Sequence, residues 1–157
     1  MNASVDNPGV IAPPPLLYGA ALAAGLALDF LVLRVPTGLP AALRFGLAAV
    51  GVVAAVVLIG GALTGFRRAG TPPAPWQPST AIVTSGIYGY TRNPMYVAMA
   101  LFYAAMALAA DSLITLLFLV PLLIVVHHGV VLREERYLEA KFGDQYRRYK
   151  TKVRRWI

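Results

Sequence analysis

Long uninterrupted apolar runs dominate the hydrophobic pattern of this chain, rather than strand-like alternation or a single helical stripe. Four can be marked, at residues 15–33, 43–64, 94–110 and 112–132. A helix rises roughly 1.5 Å per residue, so a hydrocarbon core of about 30 Å takes about 20 residues, and each run predicts a membrane-spanning helix. The third is at the short end. It gains length from Tyr96 at one interface and from a tight turn at residues 109–111 shared with the fourth. Beyond the fourth run the pattern changes. Tyr137, Leu138, Phe142, Tyr146, Tyr149 and Val153 recur at helical spacing among basic residues, which predicts an amphipathic helix on the membrane surface or capping the bundle. The expected fold is an all-α integral membrane protein: four transmembrane helices and a C-terminal amphipathic cytoplasmic helix, as one membrane domain over residues 1–157.

Composition agrees. Of 157 residues, 58% are hydrophobic and 13% charged, about half the charged share of a soluble domain. The net charge of +7 is not a nucleic-acid signal, because the basic residues flank apolar runs instead of forming a block. Arg67 and Arg68 follow the second run, Arg92 precedes the third, and Arg133, Arg136 and Lys141 follow the fourth. Only Arg34 and Arg44 fall on the other side. The positive-inside rule therefore places loop 66–93 and tail 133–157 in the cytoplasm, with both termini inside. Residues 1–9 carry no Lys or Arg and so lack the n-region of a signal peptide. With no cysteine there is no thiolate chemistry. The only histidines, His127 and His128, are adjacent and lie about 100° apart on a helix, so one at most faces a given site. No metal site is expected, whereas one of the pair as a proton acceptor is chemically reasonable.

A few polar positions stand out. Asp29 lies inside the first run, where an ionisable group is costly; the plainest account pairs it with Arg34 or headgroup water. Pro121 predicts a kink in the fourth helix. The loop is long for a bundle connection, is stiffened by prolines at 72, 73, 75 and 78, and holds Trp76, Ile82, Val83 and Ile87, which should lie on the bundle. Asn93-Pro94 reads as N-cap and first helical residue, and free N–H groups at that helix start can hold a carboxylate, with Arg92 and Tyr96 beside it. Glu134-Glu135, across the hairpin, is either a solvated charge run or a pair of carboxylates for a cation.

The order Gly86-Ile87-Tyr88, Arg92-Asn93-Pro94-Met95-Tyr96, Glu134-Glu135, Phe142-Gly143 with Tyr146 and Tyr149, and Val153 with Arg155-Trp156 resembles the isoprenylcysteine carboxyl methyltransferase family. Its wider relatives include the phospholipid N-methyltransferases. The likeness covers residues 70–157. It implies methyl transfer from S-adenosylmethionine, leaving S-adenosylhomocysteine, in a pocket facing the cytoplasm. The resemblance assigns Thr80, Ala81, Ile82, Val83, Tyr88, Asn93, Pro94, Met95, Tyr96, Glu134 and Tyr149 to the cofactor, with Arg92 and Glu135 as catalytic or supporting groups. The sulfonium and ammonium of the cofactor suit carboxylate and aromatic groups. It further implies a lipophilic acceptor from the bilayer, most like a prenylated thioether carboxylate, in the cytoplasmic membrane of a prokaryote. Three positions depart from the pattern. Asn93 stands where the carboxyl methyltransferases usually have His, Ala98 replaces a Gly, and Val130 falls where they carry a substrate-contacting Arg. Amine methylation of a phospholipid therefore stays open, as does a non-catalytic membrane assembly or transport subunit. The sequence indicates no oligomeric state.

Overall fold

The computed structural model describes residues 6–157 and is all-helical over them. In chain order the helices are α1 (Pro14–Leu28), α2 (Ala41–Ala69), α3 (Pro94–Ala109), α4 (Leu113–Val126), α5 (Leu132–Phe142) and α6 (Asp144–Lys152). A π turn, Asp29–Leu33, ends α1, and a second, His127–Val131, joins α4 to α5 without a break. Three helical segments are long and apolar enough to cross a membrane: Pro14–Leu33, Ala41–Ala69 and Leu113–Phe142. The fourth, Pro94–Ala109, is apolar but shorter.

The packing inverts that of a soluble bundle. Leu31, Val32, Val50, Val53, Val56, Val57, Leu117 and Val120 are exposed, while Ala48, Ala55 and Ala62 are buried one heptad apart on α2. Outward apolar faces suit lipid, and small inward residues let helix backbones approach closely. A Cβ at Gly51 would stand 3.2 Å from the Ala105 Cβ, on the α2–α3 seam. Between α1, α3 and α4 the core holds Tyr18, Tyr103, Leu122 and Val126. The Tyr103 hydroxyl donates to the Thr115 carbonyl at 2.9 Å, so the buried phenol is satisfied. On the α1–α4 seam a Cβ at Gly25 would lie 3.0 Å from the Thr115 Cα. Gly25→Leu should push these helices apart and cost about 1–3 kcal/mol. A lowered midpoint of thermal unfolding in detergent would register this, and an unchanged midpoint would mean that the seam is slack.

Each π turn has a partner for the groups it frees. At the first, the Arg34 N–H bonds to the Asp29 carbonyl at 2.6 Å, and Arg34 takes a left-handed φ of 51°. Asp29 is fully buried. Its Oδ1 accepts the Val35 N–H at 2.9 Å, while an Arg34 Nη1 stands 3.8 Å from Oδ2. The acid is thus a fastener for the chain reversal, not a group left to headgroup water. Nearby, Asp111 accepts from the Thr37 hydroxyl at 2.6 Å and lies 3.5 Å from Arg44 Nε, closing that end of the bundle. At the second π turn the Gly129 carbonyl accepts the Ile11 N–H at 3.2 Å. A π turn releases a carbonyl from the α-helical ladder, and here the N-terminal segment takes it.

Two expectations need correction. Trp76 is half-exposed rather than packed on the bundle. The single tail helix is two, because Gly143 (φ 53°, ψ −125°) breaks the chain between α5 and α6. The apolar tail face nevertheless forms: Tyr146, Tyr149 and Val153 pack with Leu138, Phe142 and Ile82 of the loop.

Candidate functional site

Loop, α3 start and tail meet at one end of the bundle, and backbone bonds hold them there. The Arg92 N–H bonds to the Arg154 carbonyl at 3.0 Å, with Thr91 and Arg154 in a parallel bridge. Asn93 occupies the cap position of α3, but its side chain makes no cap bond. Instead its amide donates to the Arg155 carbonyl at 2.9 Å, joined by the Thr91 hydroxyl at 3.2 Å. Asn93 thus fastens the C-terminus to the helix start. Pro94 follows at the first helical position as expected.

Next to this seam is a cavity of about 780 Å³, counting the part open to solvent. Eleven of the thirteen residues assigned above line it: Ala81, Ile82, Val83, Tyr88, Arg92, Asn93, Met95, Tyr96, Glu134, Glu135 and Tyr149. Thr80 and Pro94 do not. Thr80 is exposed and pins the loop to the end of α2, its N–H on the Thr71 hydroxyl at 2.9 Å and its own hydroxyl on the Gly70 carbonyl at 3.0 Å. Pro94 is buried beneath the helix start.

The paired acids divide their work. Glu135 is buried and bidentate with Arg155, Nε to Oε1 and Nη2 to Oε2 each at 2.8 Å. Arg92 Nη1 lies 2.9 Å from the same Oε1. Both oxygens are engaged, which suits a residue that positions others better than one that moves a proton. Glu134 faces the cavity with a different partner, the Tyr96 hydroxyl, which donates to Oε1 at 2.6 Å. The Arg92 Nε is buried without a hydrogen-bond partner among the described residues. One cavity wall therefore offers a carboxylate served by a single hydroxyl, and an adjacent guanidinium with an unused donor.

Aromatic groups complete the wall. The Tyr149 hydroxyl donates to the Tyr88 carbonyl at 2.7 Å, linking α6 to the loop. Burial pushes the Tyr88 and Tyr149 hydroxyls far above the usual phenol range and Tyr146 up to about 12, so these rings stay neutral donors at any working pH. Cavity residues that the sequence reading did not assign to the site include Phe66, Tyr137 and Pro8 of the N-terminal segment. That segment is strapped on: Asp6 accepts from Lys141 Nζ at 2.6 Å and from the Tyr137 hydroxyl at 2.8 Å, and Tyr137 accepts the Ser79 N–H at 3.1 Å. Lys141 and Tyr137 hold the Asp6 carboxyl below its ordinary range. An acidic residue ahead of a basic tail was the signal available for it.

His127 and His128 do not obey the one-face expectation. Within the π turn their rings meet edge to face, centroids 4.9 Å apart, and both line a second cavity between α3 and α4. The angular argument holds for a regular α-helix, and this stretch is not one.

Comparison with known proteins follows the same geography. A protein of Haemophilus influenzae described as uncharacterized is 43% identical over 63 residues, which is 40% of this chain and 100% of that protein. No solved structure matches. The family model for phospholipid methyltransferases matches residues 42–145, from α2 through the loop and the membrane hairpin to the start of α6. The chain belongs to the phospholipid methyltransferase family, a group of membrane methyltransferases that includes the isoprenylcysteine-type enzymes.

Proposed function

We propose that the chain transfers a methyl group from S-adenosylmethionine to a lipophilic acceptor, at the end of the bundle where loop and tail meet. The observation that carries this is Glu134, facing the cavity beside Tyr96 with no cation paired to it among the described residues. Its carboxylate fits the cofactor's ammonium or sulfonium, and the Tyr88 and Tyr96 rings fit the same charge. The unused Arg92 Nε fits the cofactor's carboxylate. When bound, the cofactor supplies an already activated methyl carbon. The protein's task is then to orient the acceptor and exclude water, since alignment provides much of the rate. The basic flanks of the loop and tail put this site on the cytoplasmic face.

An amine acceptor fits the geometry better than a carboxylate. Val130, where a substrate-contacting Arg would stand, is uncharged and fully buried. Arg92 is the one Lys or Arg among the described lining residues, and with its Nε given to the cofactor's carboxylate a carboxylate acceptor would meet no further cation there. The test is transfer of labelled methyl from S-adenosylmethionine, by protein in phosphatidylcholine vesicles, to a long-chain primary amine and to a fatty acid. Label in the amine and not in the acid is expected. Label in the acid alone would restore the carboxyl reading, and a folded sample that binds no cofactor would leave a non-catalytic membrane module.

A further inference from the structure

Residues 6–11 lie ahead of α1 and outside the stretch matched by the family model, which begins at residue 42. They run against one row of the α4–α5 helix, meeting Gly129, Arg133, Tyr137 and Lys141 at steps of four residues. The inner end is firm. The Ile11 N–H bonds to the Gly129 carbonyl, Val10 packs on the buried core, and a Cβ at Gly129 would collide with the Ile11 side chain. The outer end is held by exposed groups. Arg133 Nη1 donates to the Gly9 carbonyl at 2.7 Å, and the Asp6 carboxylate takes Lys141 Nζ and the Tyr137 hydroxyl. Exposed ion pairs of this kind hold weakly and yield to salt. Between the two ends, Pro8 lines the cavity that Glu134 faces, together with Pro72, Pro73 and Pro75 of the loop. Tyr137 joins the two segments. Its hydroxyl donates to Asp6 and accepts the Ser79 N–H at 3.1 Å and Lys141 Nζ at 3.0 Å, which uses its one proton and both lone pairs.

We propose that residues 6–11 form a strap that closes over this cavity once the cofactor is bound, with Asp6, Tyr137 and Lys141 as its latch. The assignment rests on the methyltransferase reading above and adds control of cofactor exchange. A segment fastened firmly at one end and weakly at the other can swing without disturbing the spans. Ile11 on Gly129 is the pivot, and opening breaks contacts that already meet solvent. Lid opening and product release set the turnover of many enzymes, so a latch on the cavity rim times the exchange of S-adenosylhomocysteine for fresh cofactor. Asp6 and Lys141 do not line the cavity. They are positioning residues, and their influence on a bound cofactor passes through the strap.

The chain has no cysteine, so Pro8→Cys places a single thiol on the strap. In phosphatidylcholine nanodiscs, saturating S-adenosylhomocysteine should slow alkylation of that thiol by N-ethylmaleimide about fivefold or more. Adding Asp6→Asn should undo most of the protection, which a ligand merely covering the thiol would not explain. Release of tritiated S-adenosylhomocysteine, measured without any cysteine, should be about 3- to 10-fold faster from the Asp6→Asn protein than from the unsubstituted one. Lys141→Gln repeats the release measurement on the other half of the latch and guards against a fold defect in either variant. A thiol alkylated equally fast with and without bound ligand, or equal release rates, overturns the proposal. Failure of the unsubstituted protein to bind S-adenosylhomocysteine sinks the methyltransferase reading and the strap's role with it. Binding that leaves the thiol unprotected rejects the strap alone.

Discussion

Glu134→Ala should weaken S-adenosylmethionine binding by roughly 30- to 150-fold, equivalent to about 2–3 kcal/mol for a hydrogen-bonded charge contact. The reason is local. Glu134 is the cavity carboxylate that no cation among the described residues neutralises, and its partner there is the Tyr96 hydroxyl at 2.6 Å. Truncation removes the counter-charge for the cofactor and leaves a buried tyrosine hydroxyl unpaired. Glu134→Gln separates the two effects, since it keeps an acceptor for Tyr96 while losing the charge. It should recover stability but only a small part of the affinity. Tyr96→Phe should show the reverse pattern, a loss of about 3- to 10-fold from a misplaced carboxylate. Isothermal titration of detergent-purified protein with S-adenosylhomocysteine alongside S-adenosylmethionine measures all three. Equal affinities in the Ala variant and the unsubstituted protein would remove Glu134 from the site.

This residue also shows what the sequence makes legible. Long apolar runs are hard to miss, because burying apolar area in lipid leaves a signal in every residue. Helix ends within one or two residues followed from Pro94 and from the turn at Asp111. The order of polar motifs predicts that loop, α3 start and tail come together, and eleven of the thirteen assigned residues line one cavity. The sequence does not show which of two adjacent acids does what. Glu134 and Glu135 differ by about 100° on one helix, and only the packed tail reveals that Arg155 and Arg92 converge on the second. Nor could a regular-helix rule foresee His127 and His128 together in one groove, since they sit in a π turn whose Gly129 carbonyl takes the N–H of the distant Ile11. Asn93 reads as a cap by every local rule, yet its amide serves the Arg155 carbonyl, a partner 62 residues away. Long-range partners of short polar side chains are the part that periodicity leaves out.

The largest effect on the fold should come from Glu135. Its carboxylate gathers Arg155 in two bonds and Arg92 in a third contact, and the side chains of Glu135 and Arg92 are 8% and 9% exposed. Removing one partner of a buried ion pair costs about 3–5 kcal/mol, because the remaining charge keeps its desolvation penalty without its compensation. Glu135→Ala strands two guanidinium groups at once, although Arg155 is one-third exposed and can recover some solvent. The expected consequence is release of the tail from Thr91 downward, since the Asn93 and Thr91 bonds both end on the Arg155 carbonyl. Trypsin should then cut after Arg154 or Arg155 in the variant at least tenfold faster than in the unsubstituted protein, with the spans intact. Cofactor affinity should fall with it, because Arg92 loses its anchor at the cavity wall. Arg155→Ala should be milder, as Glu135 keeps Arg92, and the double variant should be less damaged than the sum of the two singles. Strict additivity would mean that Glu135 and Arg155 act apart. In that case the tail would be held by its backbone bonds alone, and the paired acid would be free for another role.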